Sequence, residues 1–280
     1  MPSHNQSLCG PAAQHAVIRQ PNILQLVAMS PLSSDTIFHF TRSREYLLDI
    51  LTNELRPHYS LEDFTPVATQ SIPSHGHTFA FPLISFCDIP LSQTAAHMQT
   101  YGNYAIGLTK AWAISKSVTP LHYYHAQSST LQAINELIQH QWDQAGEAQG
   151  TPIGGTMSRL VCFLKPYEGE FFRPGEPPRH VRFYDEREWR FVPVEAGNTR
   201  VLPKAEWLDN TKRAAANTLA RQLSHLSFEP KDIRYIIVAH EAEILPICHL
   251  IQEIKGKYSQ DDVLTLTTRI ISAEQIRGDF

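Results

Sequence analysis

The chain has 280 residues, 42% of them hydrophobic and 19% charged, a balance that supports a sizeable folded core and argues against extensive disorder. A formal net charge of −4 removes the strongly basic surface by which proteins wrap duplex nucleic acid, though a local contact with one nucleotide or a short single strand stays open. Cys9, Cys87, Cys162 and Cys248 lie far apart and form no Cys-x-x-Cys pair, which excludes zinc ribbons and redox pairs, and four cysteines in 280 residues are too sparse to suggest a disulfide framework. Met1 to Gln20 is polar, and no run approaches the ~20 apolar residues of a membrane span, so a cytoplasmic protein is expected.

Residues 1–30 are weakly patterned and read as an N-terminal arm; residues 31–280 read as one domain. Ile37 to Phe40 reads as a short strand. Ser43 is a candidate cap for an amphipathic helix to Leu55, with Tyr46, Leu47, Ile50 and Leu51 on one face and Pro57 beyond its end. Ala80 to Ile89 reads as a buried strand, Ser92 as the cap of a helix to about Tyr101, and Tyr104 to Leu108 as another strand. A short helix over Lys110 to Ser117, a strand over Leu121 to His125 and a helix over Ser128 to Gln144 follow. Gln144 to Thr156 is a Gly-rich loop, Leu160 to Lys165 is strand-like, and Tyr167 to Arg179 reads as an extended loop. Val181 to Pro193 alternates like one strand. A helix after Pro203, a strand over Ile233 to Ala239, a helix over Ala242 to Glu253 and a strand over Leu264 to Ser272 complete an α+β pattern with a mixed sheet.

The histidine pairs His75/His77, His122/His125 and His240/His249 lack the further ligands of a zinc site, so no metal is expected. No phosphate-binding glycine motif and no Gly-x-Ser-x-Gly elbow is present. The strand around Glu188 carries more. If Val181 to Pro193 is extended, Phe183, Asp185, Arg187, Trp189 and Phe191 share one face. Arg182, Tyr184, Glu186, Glu188, Arg190 and Val192 then share the other, with two carboxylates between arginines. Such a row can be a solvated, ion-paired face. It can also be a carboxylate pair in a cleft, the arrangement that stabilises an oxocarbenium-like transition state. His39 and Thr41 alternate with Phe38 and Phe40 and could reach ribose hydroxyls, while Ser85 is a polar position on an apolar strand. Taken alone, a His between apolar strand residues and a Ser on a core strand are more often structural.

The segments FHFT (38–41), SFCDIPLS (85–92), YGNYAIGLTKAWA (101–113), KPYEG (165–169), YDEREWRFVP (184–193), IRYIIV (233–238) and TRIISAEQI (268–276), in this order, resemble the AbiGi family of abortive phage-infection proteins. More remotely, an early His strand, a middle Ser strand and a late Glu strand look like the ADP-ribosyltransferase fold, in particular its DarT-like branch. That resemblance implies a mixed-sheet ADP-ribosyltransferase-like core with peripheral helices and NAD as substrate. It implies Glu188 and Glu186 as catalytic acids, the essential one undecided, and His39, Thr41, Ser85, Tyr104 and Arg190 as cofactor-binding residues. Arg182 joins Arg190 as a possible phosphate contact, and Tyr101, Tyr104 and Tyr184 are candidates for stacking on nicotinamide. It implies transfer to an RNA or single-stranded DNA base and a cognate antitoxin or regulatory partner. The alternative is a non-catalytic antitoxin or sensor, in which Glu186 and Glu188 are neutralised by their neighbours instead of lining a cleft with His39.

Overall fold

Residues 33–64, 78–145, 160–171, 176–193, 201–254 and 258–279 are described here from a computed structural model, with side chains of the second segment to residue 140. The strands are β1 (Thr36–Thr41), β2 (His58–Asp63), β3 (Thr78–Cys87), β4 (Tyr104–Thr109), β5 (Thr119–Pro120), β6 (His122–Tyr124), β7 (Leu164–Pro166), β8 (Gly169–Phe171), β9 (Arg179–Val181), β10 (Glu188–Phe191), β11 (Leu202–Pro203), β12 (Ile233–Val238) and β13 (Ile270–Ser272). The helices are α1 (Arg44–Asn53), α2 (Thr94–Tyr101), α3 (Lys110–Ser115), α4 (Ser129–Ala145), α5 (Lys204–Leu208), α6 (Asn210–Leu223), α7 (Ile244–Ile254), α8 (Gln260–Thr267) and α9 (Ala273–Asp279).

One sheet runs β13-β12-β4-β1-β3-β10-β5, with β2 and β11 added to the first half of β3. Its pairs are antiparallel except β12 with β13, so the sheet is mixed. The apolar run of β12 fits its interior place, where both faces are covered and alternation disappears. On one face, Ile37, Ile84, Phe86, Ile106 and Leu108 pack with Leu47 and Leu51 of α1, Trp112 of α3, Ile247 and Ile251 of α7 and Leu266 of α8. On the other, Phe38, Cys87, Ala105 and Ile237 meet Met98 of α2 and Ala273 and Ile276 of α9. A further cluster joins Phe79, Phe81 and Leu83 of β3 to Tyr124, Leu131, Cys162 and Leu164. Helix α1 begins as its sequence suggests: the Ser43 hydroxyl accepts a hydrogen bond from the Tyr46 N–H at 3.3 Å. Its inward stripe is Leu47, Ile50 and Leu51, whereas Tyr46 is exposed.

Several expected elements take a different form. The alternating run Val181 to Pro193 is three pieces: β9, a 3₁₀ turn over Phe183–Glu186, and β10. Arg187 joins turn to strand in the left-handed region, at φ 46° and ψ 50°. The loop from Tyr167 to Arg179 contains β8, which pairs with β9 outside the main sheet. Of Leu160 to Lys165 only Leu164 and Lys165 are extended, so Cys162 is buried in a turn. Leu264 to Ser272 begins inside helix α8 and only Ile270–Ser272 is a strand. Ser92 lies in a 3₁₀ turn and makes no helix cap; α2 starts at Thr94. Strand β2, which pairs along six residues of β3, was not expected at all. The N-terminal arm, His75, His77 and most of the Gly-rich loop lie outside the described residues.

Candidate active site

Strands β1, β3 and β10 lie side by side, and register places Phe38, Cys87 and Glu188 in one row across the sheet. Because cross-strand partners share a face, Ser85, Glu188 and Arg190 project to the α2 side, with Phe38 and Phe40. The chain then turns before β10. The 3₁₀ turn and the left-handed Arg187 direct Glu186 back toward Glu188, so both carboxylates converge on one ammonium group. That group is Lys165 of β7, whose Nζ lies 3.0 Å from Glu186 Oε2 and 2.6 Å from Glu188 Oε2.

The remaining oxygens are also engaged. Glu188 Oε1 accepts from the Ser85 hydroxyl at 2.6 Å and from Arg190 Nε at 2.9 Å. Glu186 Oε1 accepts a short hydrogen bond from the Tyr101 hydroxyl. The Glu188 backbone N–H donates to the Tyr123 hydroxyl at 2.8 Å, and the Phe183 ring covers Lys165 with its centroid 4.7 Å from Nζ. Arg190 is fully buried. It donates to the Cys162 carbonyl at 2.8 Å and lies 3.3 Å from Glu62. Lys165, Glu186 and Glu188 are each exposed by less than a tenth, which is tolerable only because every charge has a partner.

Burial alone would push the Glu188 carboxyl up, but Arg190 and Lys165 outweigh it and hold Glu188 well below the usual carboxylate range. Burial likewise opposes the Lys165 charge, and Glu188 and Glu186 raise its pKa well above an ordinary lysine. Glu188 is therefore ionised and Lys165 protonated across physiological pH. Burial, with Glu186 second, raises the Tyr101 phenol and keeps it a hydrogen-bond donor.

Tyr101 owes its place to Gly102, which closes α2 at φ 113° with no room for a side chain; a Cβ there would sit 2.3 Å from the Thr41 carbonyl oxygen. One helical turn before Tyr101, His97 stacks on its ring at 4.4 Å and meets the tilted Phe40 ring at 5.0 Å.

The structure brings Glu186, Glu188, Ser85 and Arg190 together and separates Thr41 and Tyr104 from them. Thr41 pairs with Tyr104 on the α1 side of the sheet, and the Tyr104 hydroxyl donates to Glu243 at 3.0 Å. His39 alternates with Phe38 and Phe40 and packs against Phe86, yet its Nδ1 lies 2.8 Å from the Ser85 carbonyl oxygen. Ser85 thus touches His39 through its backbone and Glu188 through its side chain. Arg190 lies too deep to meet a phosphate and holds Glu188 instead. Arg182 departs from the expected face: it is exposed, 3.9 Å from Asp185.

Lys165 and His97 had no assigned role in the sequence, and Tyr101 was a stacking candidate only. A lysine closing an apolar run at Leu164-Lys165-Pro166 signals a buried cation in need of an anion, and His97 and Tyr101 stand at the i, i+4 spacing of one helix face. Among the described residues no group of three or more His, Cys, Asp or Glu could hold a metal ion, and no helix is long and apolar enough to cross a membrane.

Fold and site define a mixed α/β protein with a buried, doubly ion-paired carboxylate couple on one face of its sheet. The chain belongs to the AbiGi family: the family's model, described as "Putative abortive phage resistance protein AbiGi, antitoxin", matches residues 53–239. It is similar to the abortive phage resistance protein AbiGi of Lactococcus lactis subsp. cremoris, 24% identical over 225 residues, covering 71% of this chain and 88% of the relative. No solved structure matches.

Proposed function

We propose that the chain serves phage defence as a transferase centred on Glu188, moving ADP-ribose from NAD to a macromolecular acceptor such as a base in RNA or single-stranded DNA. One observation carries this reading: Glu188, Glu186 and Ser85 converge on the α2 face of the sheet, whereas His39 projects to the α1 face and touches the site only through the Ser85 carbonyl. NAD would supply an activated glycosidic bond whose cleavage releases neutral nicotinamide and leaves positive charge on the ribose, to be taken up by an acceptor nitrogen or oxygen that gives its proton to solvent. Glu188, ionised and fixed by Ser85 and Arg190, offers the permanent negative charge that such a state needs. Glu186, held by Tyr101 and Lys165, is placed beside it to orient the acceptor. His39, Thr41 and Tyr104 project to the α1 face and Arg190 is buried, so none of the four fits a ribose-binding role beside Glu188 from its present place.

A second reading is a non-catalytic antitoxin or sensor. It is favoured by the saturation of both carboxylates by protein donors and by the antitoxin in the family's description. The two readings part on Glu188→Asp, which keeps the charge opposite Lys165 and Arg190 but withdraws the carboxylate by one methylene. With labelled NAD supplied to lysates after induced expression, the wild type is expected to label nucleic acid or protein. Glu188→Asp, which keeps the anion but lengthens its bonds to Ser85, Lys165 and Arg190 and is compared below its own melting temperature, is expected to lose about a hundredfold of that label. If the wild type incorporates no label, even freed of any partner, the transferase reading falls and the binding reading stands.

A further inference from the structure

We propose that His97 touches the ligand of the carboxylate site, presenting its ring nitrogens to a hydroxyl, amine or amide of the incoming acceptor. The inference rests on the site lying at Glu186 and Glu188 and adds a contact residue there. His97 stacks on Tyr101 and packs against the Phe40 ring, tilted at 54° and 5.0 Å away, contacts that hold the imidazole in place without engaging its nitrogens. The clamp is anchored to the site, because Tyr101 hydrogen-bonds Glu186. The charges that act on the ring are those of Glu188 and Lys165.

Among the described residues neither nitrogen of His97 has a hydrogen-bond partner, whereas Nδ1 of His39 engages a carbonyl and Nδ1 of His240 a carboxylate. His97 is half-buried, so water serves its edge until a ligand group replaces it. Burial lowers its pKa to about 4 against the pull of Glu188, leaving a neutral ring at physiological pH. A neutral imidazole has one N–H donor and one bare acceptor nitrogen, a pair matched by groups that both donate and accept.

His97→Phe separates this role from packing, because phenylalanine keeps a flat ring against Tyr101 and Phe40 but has no nitrogen. The experiment compares phage plating on cells carrying the full chain as wild type, His97→Phe, His97→Gln or Glu188→Asp, with a thermal melt of each purified protein. His97→Phe is expected to melt with the wild type yet lose about tenfold or more in protection, with His97→Gln retaining part of it. Full protection by a folded His97→Phe overturns the inference. Should His97→Phe fail to fold, His97→Ala with added imidazole replaces it: restored protection supports the contact, and none in a folded protein overturns it. Protection lost in His97→Phe but kept in Glu188→Asp leaves the contact standing and removes the transferase reading.

Discussion

Glu188 sits between two cations almost wholly withdrawn from water, and that arrangement governs which substitutions are informative. Glu188→Gln preserves shape but strands Lys165 and Arg190 with one anion fewer, and breaking a buried pair in this way costs about 3–5 kcal/mol. A lost activity in that variant would therefore report on folding as much as on chemistry, which is why the aspartate variant separates the readings. His97 imposes its own pH dependence. The unfolded chain protonates a histidine near pH 6.5, while folded His97 takes up its proton only near 4. Between those values the unfolded state holds more protons, so stability falls as pH drops through the window. His39, also lowered by burial, acts in the same direction. Glu188 is depressed instead, and its contribution is lost only as pH falls below about 4.3. Denaturant titrations at about pH 7 and about pH 5 should thus show a smaller drop in stability for His97→Phe than for the wild type. An equal drop would mean that the ring titrates normally.

At the level of single elements, the left-handed Arg187 and the glycine at the end of α2 do the positioning. Gly102→Ala would force a methyl group against the Thr41 backbone at a φ that alanine avoids, so a large fall in melting temperature, or insoluble protein, is expected. Gly278→Ala, within α9 and with open space around it, should leave the melting temperature unchanged or raise it slightly. Equal melting temperatures for the two variants would refute the steric account of Gly102. The elements readable from sequence are those whose pattern has one interpretation: α1 with its serine cap, α4, and the apolar β12. The stretch Val181 to Pro193 was half readable. From Glu188 onward the strand faces are as alternation implies, but a 3₁₀ turn before a left-handed residue leaves no periodic mark, since arginine rarely adopts that conformation. Lys165 was hidden for another reason: its partners are more than 20 residues away, and only the fold shows that they meet.

For the molecule as a whole, the family match covers residues 53–239, yet the sheet needs strands outside it. β1 lies between β4 and β3, and α1, α7 and α8 cover one face of the core. A fragment limited to residues 53–239 is therefore expected to stay unfolded by circular dichroism and amide exchange, whereas residues 33–279 should fold cooperatively; a folded fragment would show that β1 is dispensable. The mixed sheet was legible from the sequence as a class, but its strand order was not, because order depends on pairings across more than a hundred residues.

That interleaving has a consequence for the birth of the protein. β4 must wait for β12, whose first residue follows the last of β4 by more than a hundred positions, before its free edge is covered. At about 5–20 residues per second, a ribosome spends roughly 6–25 seconds making that stretch. Throughout that interval the growing polypeptide presents an unpaired strand edge, and Glu188 is still missing for part of it. The apolar sheet faces that β4 shares with its neighbours stay open to non-native contacts over that interval, so synthesis, not folding chemistry, sets the earliest time at which the carboxylate site can form.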